Sequence, residues 1–222
     1  MLHNYIITRF SILDYTFKGY KLSKDNSEQD YKKILFEKNR LNFKFNVFEK
    51  MTLPSIINQT SNNYTWLIYT SIYLPDEYKI KLINLVKTNK NIKIIYVNTF
   101  KEFFDDIDKQ ISHDEYTTIR LDDDDGLNHK FIEILNNYNY NDMKNKILSF
   151  PLGKKFKVDN KIIFGDNTNF KNIALGLTAF NMIIYNCGDH TKINNKYDVI
   201  YNNIEEAYYL CCSEYCDTKR KI

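Results

Sequence analysis

The chain has 222 residues, a formal net charge of +3, 43% hydrophobic and 15% aromatic residues. That apolar content is enough for one α/β core and excludes a disordered chain, and so slight and dispersed a charge argues against nucleic acid as a partner. No apolar run is long enough to span a bilayer, and Met1-Leu2-His3-Asn4 lacks the basic and apolar regions of a signal peptide, so a soluble, cytoplasmic protein with no transmembrane segment is expected.

In chain order, Tyr5 to Phe10 reads as a short strand, followed by a polar stretch from Ser11 to Asn39 with no clean periodicity, expected to be a loop at the active site. Phe43, Phe45, Val47, Phe48, Met51, Leu53 and Ile56 mark a helix-rich segment, with Pro54 as an early-turn residue or a break. Strands are expected at Tyr64 to Thr70, Ile92 to Val97 and Tyr116 to Leu121, with helices from Pro75 to about Thr88 and from Phe100 to Ile111. A helix over 129 to 138 comes next, then a strand at Lys146 to Phe150 and a hairpin pairing Lys155 to Val158 with Lys161 to Phe164. Ala174 to Tyr185 is open between strand and helix, and Ile204 to Cys212 is expected to be helical. The alternation predicts a mostly parallel sheet with helices on both faces, in one domain.

The strand at 116 to 121 runs straight into Asp122, Asp123, Asp124 and Asp125. Adjacent carboxylates repel one another, so a fold that gathers them needs a divalent metal or a firm set of donors. Asp122 and Asp124 share a side in an extended segment, and such an Asp-x-Asp pair offers hard oxygen ligands to Mn2+ or Mg2+ with positions left for water and phosphate. The alternative is a solvated turn whose carboxylates cap the following helix. Arg120, one strand period before Asp122, faces the same side as a donor contact or as an ion-pair partner of the cluster. Cys187, Cys211, Cys212 and Cys216 do not form a secreted disulfide pattern; a zinc site drawn from Cys187, His190, Cys212 and Cys216 is irregularly spaced, and packed reduced thiols are expected instead.

Four ordered blocks then carry a resemblance: Ile7-Thr8-Arg9-Phe10; Phe48 to Ile56 with Gln59-Thr60; Trp66-Leu67-Ile68; and Arg120-Leu121-Asp122-Asp123-Asp124-Asp125. Together they resemble the rhamnosyltransferase family, nucleotide-sugar-dependent glycosyltransferases with a GT-A type fold, over most of the chain. The resemblance implies a donor-binding part over about 1–125 and an acceptor-side part over about 126–222. It implies a UDP-, dTDP- or GDP-sugar donor, a deoxyhexose such as rhamnose as the sugar, and a glycan or glycoconjugate acceptor. Thr8, Arg9 and Phe10 would then contact the nucleotide, with Arg9 on phosphate and Phe10 on the base, and Arg40 is a second phosphate candidate.

Metal held by Asp124, with Asp122 reaching it through water or contacting the donor ribose, would neutralise charge on the leaving diphosphate, and Asp125 would orient this arrangement or contact the acceptor. Inversion at the anomeric carbon needs a base for the acceptor hydroxyl, for which Asp189 and His190 are the candidates, His190 being also a possible third metal ligand. The family's C-terminal Trp and His-Gly-x-Asn stretch has no counterpart in Tyr208 to Ser213. A non-catalytic protein that binds nucleotide-sugar or metal with the same fold is therefore the second expectation.

Overall fold

The computed structural model describes residues 2–16, 25–204, 206–213 and 215. Its centre is strand β1 (His3–Phe10), flanked on one side by β2 (Tyr64–Ser71) and β3 (Ile92–Val97) and on the other by β4 (Tyr116–Arg120). These four are mutually parallel, with Ile7 opposite both Leu67 and Arg120. Both faces of such a sheet are covered, so β1 and β2 are buried at almost every position, polar residues included. Ile6, Phe10, Trp66 and Ile68 point into one core layer; Tyr5, Ile7, Leu67 and Tyr69 point into the other.

The expected parallel sheet with flanking helices is therefore present. Beyond β4 the sheet continues through β9 (Thr178–Phe180), β6 (Ile147–Ser149) and β10 (Val199–Tyr201), with β9 antiparallel to both its neighbours. This settles the ambiguous segment at 174 to 185 as a short strand followed by a 3-10 turn at Ile184–Cys187.

The stretch from Ser11 to Asn39, expected to be loop, contains helix α1 (Glu28–Leu35), whose first turn is capped by Ser27 accepting from the Asp30 N–H. Its amphipathic face is short, with Tyr31 and Leu35 buried, which is why no clean period shows. Residues 17–24 of the stretch lie outside the described part. Helix α2 (Lys38–Val47) follows and runs through a π-helical turn, Phe48–Thr52, into α3 (Leu53–Ile57). Pro54 does not break this helix. Its missing N–H and its ring would disturb a normal α-turn, and the wider π-turn, closed by the Leu53 N–H on the Phe48 carbonyl, sits immediately before it.

Helices α4 (Asp76–Val86) and α5 (Phe100–Gln110) cover opposite faces of the sheet. After the acidic run come β5 (Gly126–Leu127), α6 (Phe131–Asn136) and α7 (Tyr140–Met143). The predicted hairpin exists and is longer than expected, as β7 (Leu152–Val158) antiparallel to β8 (Ile162–Asn169). The predicted helix at 204 to 212 is a strand instead. Strand β11 (Tyr208–Cys211) lies between β5 and β7 in a second, four-stranded sheet, with Tyr208 and Leu210 buried. Its Tyr-Tyr-Leu-Cys sequence suits a pleated, half-buried surface better than a helix.

Tyr208 ties the second sheet together, bonding the Thr168 hydroxyl at 2.7 Å and donating to the Pro151 carbonyl at 3.0 Å. A Cβ on Gly153 would fall inside the Tyr208 ring. Gly153→Ala should therefore destabilise the fold by about 1–3 kcal/mol through overpacking. Chemical denaturation checks this; an unchanged midpoint would mean the ring yields freely.

Candidate functional site

The acidic run sits where β4 ends, beside the carboxyl end of β1, at the position where open α/β sheets bind ligands. The chain is steered there by backbone pairing: Leu121 N–H donates to the Ile7 carbonyl at 3.1 Å, and Arg120 exchanges bonds with Leu177 and Gly176. A tight turn follows, with Asp125 N–H on the Asp122 carbonyl.

The α2–α3 helix grips this turn from the side. Thr52 donates its hydroxyl to the Asp123 carbonyl at 3.2 Å, and the Leu127 N–H donates to the Ser55 hydroxyl at 3.2 Å. Gln59, just past the helix, donates to the Asn128 carbonyl at 2.6 Å and accepts from the Ile132 N–H at 2.9 Å. The helix passes so close that a Cβ on Gly126 would meet Met51 Cγ at 3.1 Å and Ser55 Cβ at 3.3 Å. Two sequence blocks separated by more than sixty residues are thus one structural unit, one serving as clamp and the other as clamped loop.

Each carboxylate has its own compensation. Asp122 is a third exposed and faces two guanidiniums, Arg9 at 3.6 Å and Arg120 at 3.5 Å. Burial opposes its charge, but Arg120 and then Arg9 hold its pKa well below the usual carboxylate range. Both arginines lie over the Tyr185 ring, at 4.8 and 5.5 Å from its centroid, so one aromatic face backs the pair.

Asp123 and Asp124 share the Lys44 ammonium, at 2.8 and 2.9 Å, and all three side chains are nearly buried. Burial disfavours the Lys44 charge, and the two carboxylates more than offset that, so its pKa stands well above the ordinary range. Burial pushes Asp123 up to about 6, with Lys44 pulling it down and Asp124 raising it further. Asp125 accepts from the Cys211 N–H at 2.7 Å, while burial and the charges of Asp124 and Asp122 drive its pKa well upward.

These groups line a cleft of about 320 Å3. Arg9, Arg40, Lys44 and Arg120 bring four cations to it, facing Asp122, Asp123, Asp124 and Asp125. Its apolar side is formed by Ile12, Tyr31, Leu35 and Phe100, and Ile173 to Leu175 and His190 approach from the C-terminal part. Arg40 is braced at the rim by the Leu35 carbonyl at 2.8 Å and the Ser11 hydroxyl at 3.3 Å. His190 Nδ1 lies 2.6 Å from the Asn172 carbonyl. A carbonyl only accepts, so Nδ1 carries the proton and a neutral ring keeps a lone pair on Nε2.

Three expected site residues are corrected by this geometry. Phe10 is fully buried against Phe45 and Phe48, with no ring face left for a base. Thr8 points into the same layer, its hydroxyl accepting from Trp66 Nε1 at 2.9 Å. Alternation along β1 sends only Arg9 to the cleft side. Asp189 is exposed, caps the 3-10 turn His190–Asn195 by accepting from the Thr191 N–H at 2.9 Å, and does not line the cleft. Cys187 and Cys212 are buried free thiols, and Cys216 lies outside the described part.

Sequence reasoning missed Lys44 and Tyr185. Lys44 was detectable: it falls three residues after Leu41 and four before Phe48, on a buried stripe where a lysine needs a partner.

The sequence matches the family model described as Putative rhamnosyl transferase over residues 4–221. No curated protein matches. Among solved structures the chain is similar to S. aureus TarS 1–349, with a TM-score of 0.55 and 9% identity, over 94% of this chain and 60% of that one. The same TarS segment in complex with UDP-GlcNAc gives a TM-score of 0.54 at 9% identity, covering 96% of this chain and 59% of that one. Its complex with UDP gives 0.54 at 9% identity, covering 95% and 61%. The likeness is one of fold, the GT-A type, and this chain spans about three-fifths of the length of those structures.

The clamp can be tested without any ligand. Gln59→Leu would strand the Ile132 N–H and leave the Asn128 carbonyl only its bond from the Phe131 N–H, and should cost about 1–3 kcal/mol of stability. Hydrogen exchange should quicken first at Leu127 to Ile132; a uniform change across the chain would contradict a local clamp.

Proposed function

Because the chain belongs to the Putative rhamnosyl transferase family, a glycosyltransferase family, we propose that it moves a sugar from a nucleoside-diphosphate sugar to a hydroxyl of a glycan or glycoconjugate, with inversion. The observation that carries this reading is the cleft at the ends of β1 and β4, where Arg9, Arg40, Lys44 and Arg120 meet the acidic run. A diphosphate needs fixed cations, and the leaving group's growing charge is stabilised by those already in place. The apolar side at Ile12, Tyr31, Leu35 and Phe100 suits a nucleobase. UDP, dTDP and GDP sugars are the donors to test, rhamnose or another hexose being the transferred group.

A divalent ion, Mn2+ or Mg2+, fits this donor set. Among the described residues no three His, Cys, Asp or Glu groups form a ready cage. Mg2+-like ions need none, since they take one or two carboxylates and complete their shell with phosphate and water. Asp124 and Asp122 are the carboxylates we assign to it, with Asp125 supporting them from its bond to the Cys211 N–H. The ion would supply Lewis-acid stabilisation of the departing diphosphate. His190 is the acceptor-side base in this reading, because its Nε2 is the ring atom left with a lone pair.

One observation favours a second reading. Lys44 already bridges Asp123 and Asp124, giving both a cationic partner without metal, which suits a non-catalytic nucleotide-sugar binder. Release of free nucleoside diphosphate from a donor separates the two.

Calorimetry with UDP, dTDP and GDP should show tighter binding in Mn2+ than in chelator, and Asp124→Asn should abolish the difference. Equal wild-type affinity in both conditions removes the metal from the mechanism. Once an acceptor is identified, His190→Ala should lower kcat by about 10²–10⁴-fold, the usual scale for a lost general base. Asp189→Ala, which removes only a turn cap, should stay within a few-fold of wild type; the reverse ranking would reassign the base.

A further inference from the structure

Lys44 stands at the point of conflict in this site. Its ammonium lies 2.9 Å from Asp124 Oδ2, the carboxylate assigned above to a divalent ion, and 2.8 Å from Asp123 Oδ1. Its side chain is only 8% exposed, so the ammonium is held between these two carboxylates at the cleft wall. A Mg2+-like ion would need direct contact with a carboxylate oxygen of Asp124. Two cations on one buried carboxylate repel strongly, so the ammonium and the ion compete for Asp124.

Resting on the donor reading above, we propose that Lys44 is a built-in counter-cation that competes with the divalent ion for Asp124, so that metal enters together with the diphosphate and not ahead of it. Without ligand, Lys44 holds Asp123 and Asp124 together and prevents two buried carboxylates from facing each other unpaired. With a nucleoside diphosphate bound, Lys44 would keep Asp123 and could offer its other donors to phosphate, which would leave Asp124 free to hold the ion. Lys44 is thus a positioning residue for the metal, and its release from Asp124 couples metal binding to donor binding. The neighbouring Arg40 adds to the effect as a further fixed cation lining the cleft.

The test is Mn2+ binding to the full chain without nucleotide, followed by electron paramagnetic resonance. Lys44→Met should bind Mn2+ at least about tenfold more tightly than wild type, the scale on which an opposite charge in contact shifts a carboxylate's affinity for a cation. Mn2+ should also raise the thermal midpoint of Lys44→Met more than that of wild type. Lys44→Arg, which keeps the charge, should bind Mn2+ as weakly as wild type does. Unchanged or weaker Mn2+ binding by Lys44→Met, with UDP still bound in Mn2+, overturns the competition and leaves the donor reading standing. The tenfold gain, with no UDP binding by wild type in Mn2+, supports the competition and sinks the donor reading. Should Lys44→Met fail to fold, the wild-type Lys44 ammonium resonance, assigned by its loss in Lys44→Arg, decides the matter. It should shift during Mg2+ titration, and an unmoved resonance at saturating Mg2+ overturns the proposal.

Discussion

The organising constraint in this protein is the burial of consecutive carboxylates at the end of a central strand. Asp123, Asp124 and Asp125 are each less than 10% exposed, a placement that is strongly unfavourable unless every charge finds a partner. The fold meets this one residue at a time. Arginines from β1 and β4 take Asp122, a lysine from α2 takes Asp123 and Asp124, and a backbone N–H from β11 takes Asp125. Because the partners come from four different elements, the acidic loop can hold its shape only when the whole sheet and the α2–α3 helix are in place.

This arrangement explains which parts of the chain could be read in advance. The parallel strands were legible because burial on both faces writes itself as continuous apolar runs, as at Trp66 to Tyr69. The acidic run was legible because nothing else in the sequence resembles it, and its place at a strand end followed from the strand before it. What could not be read were facts of long-range pairing. Strand β11 looked helical because its identity comes from hydrogen bonds to β7 and β5, not from its own pattern. Thr8 and Phe10 looked like site residues beside Arg9, and only the pleat of β1, fixed by neighbours on both sides, sends them into the core. Lys44 was the reverse case: its position on an apolar helical stripe held the clue, but not the identity of the partner.

Charge balance gives the cleft a second character. Four fixed cations oppose four acidic groups, one of which, Asp125, has its pKa driven upward by burial and by its neighbours. The pair of guanidiniums over Tyr185 gives the cationic side of that balance a fixed direction.

The π-turn at Phe48–Thr52 has a consequence for how this sequence can change over evolutionary time. It amounts to one surplus residue in an otherwise regular helix, and it sets the angle between Lys44 before it and Thr52, Ser55 and Gln59 after it. Losing a single codon from this stretch would restore the regular α-helical spiral and rotate everything downstream by about 100°. Lys44 and the clamp residues could then no longer reach the same loop. Point substitutions along this helix can be absorbed locally, whereas an insertion or deletion of one residue cannot, so its length should be far more constrained than its composition.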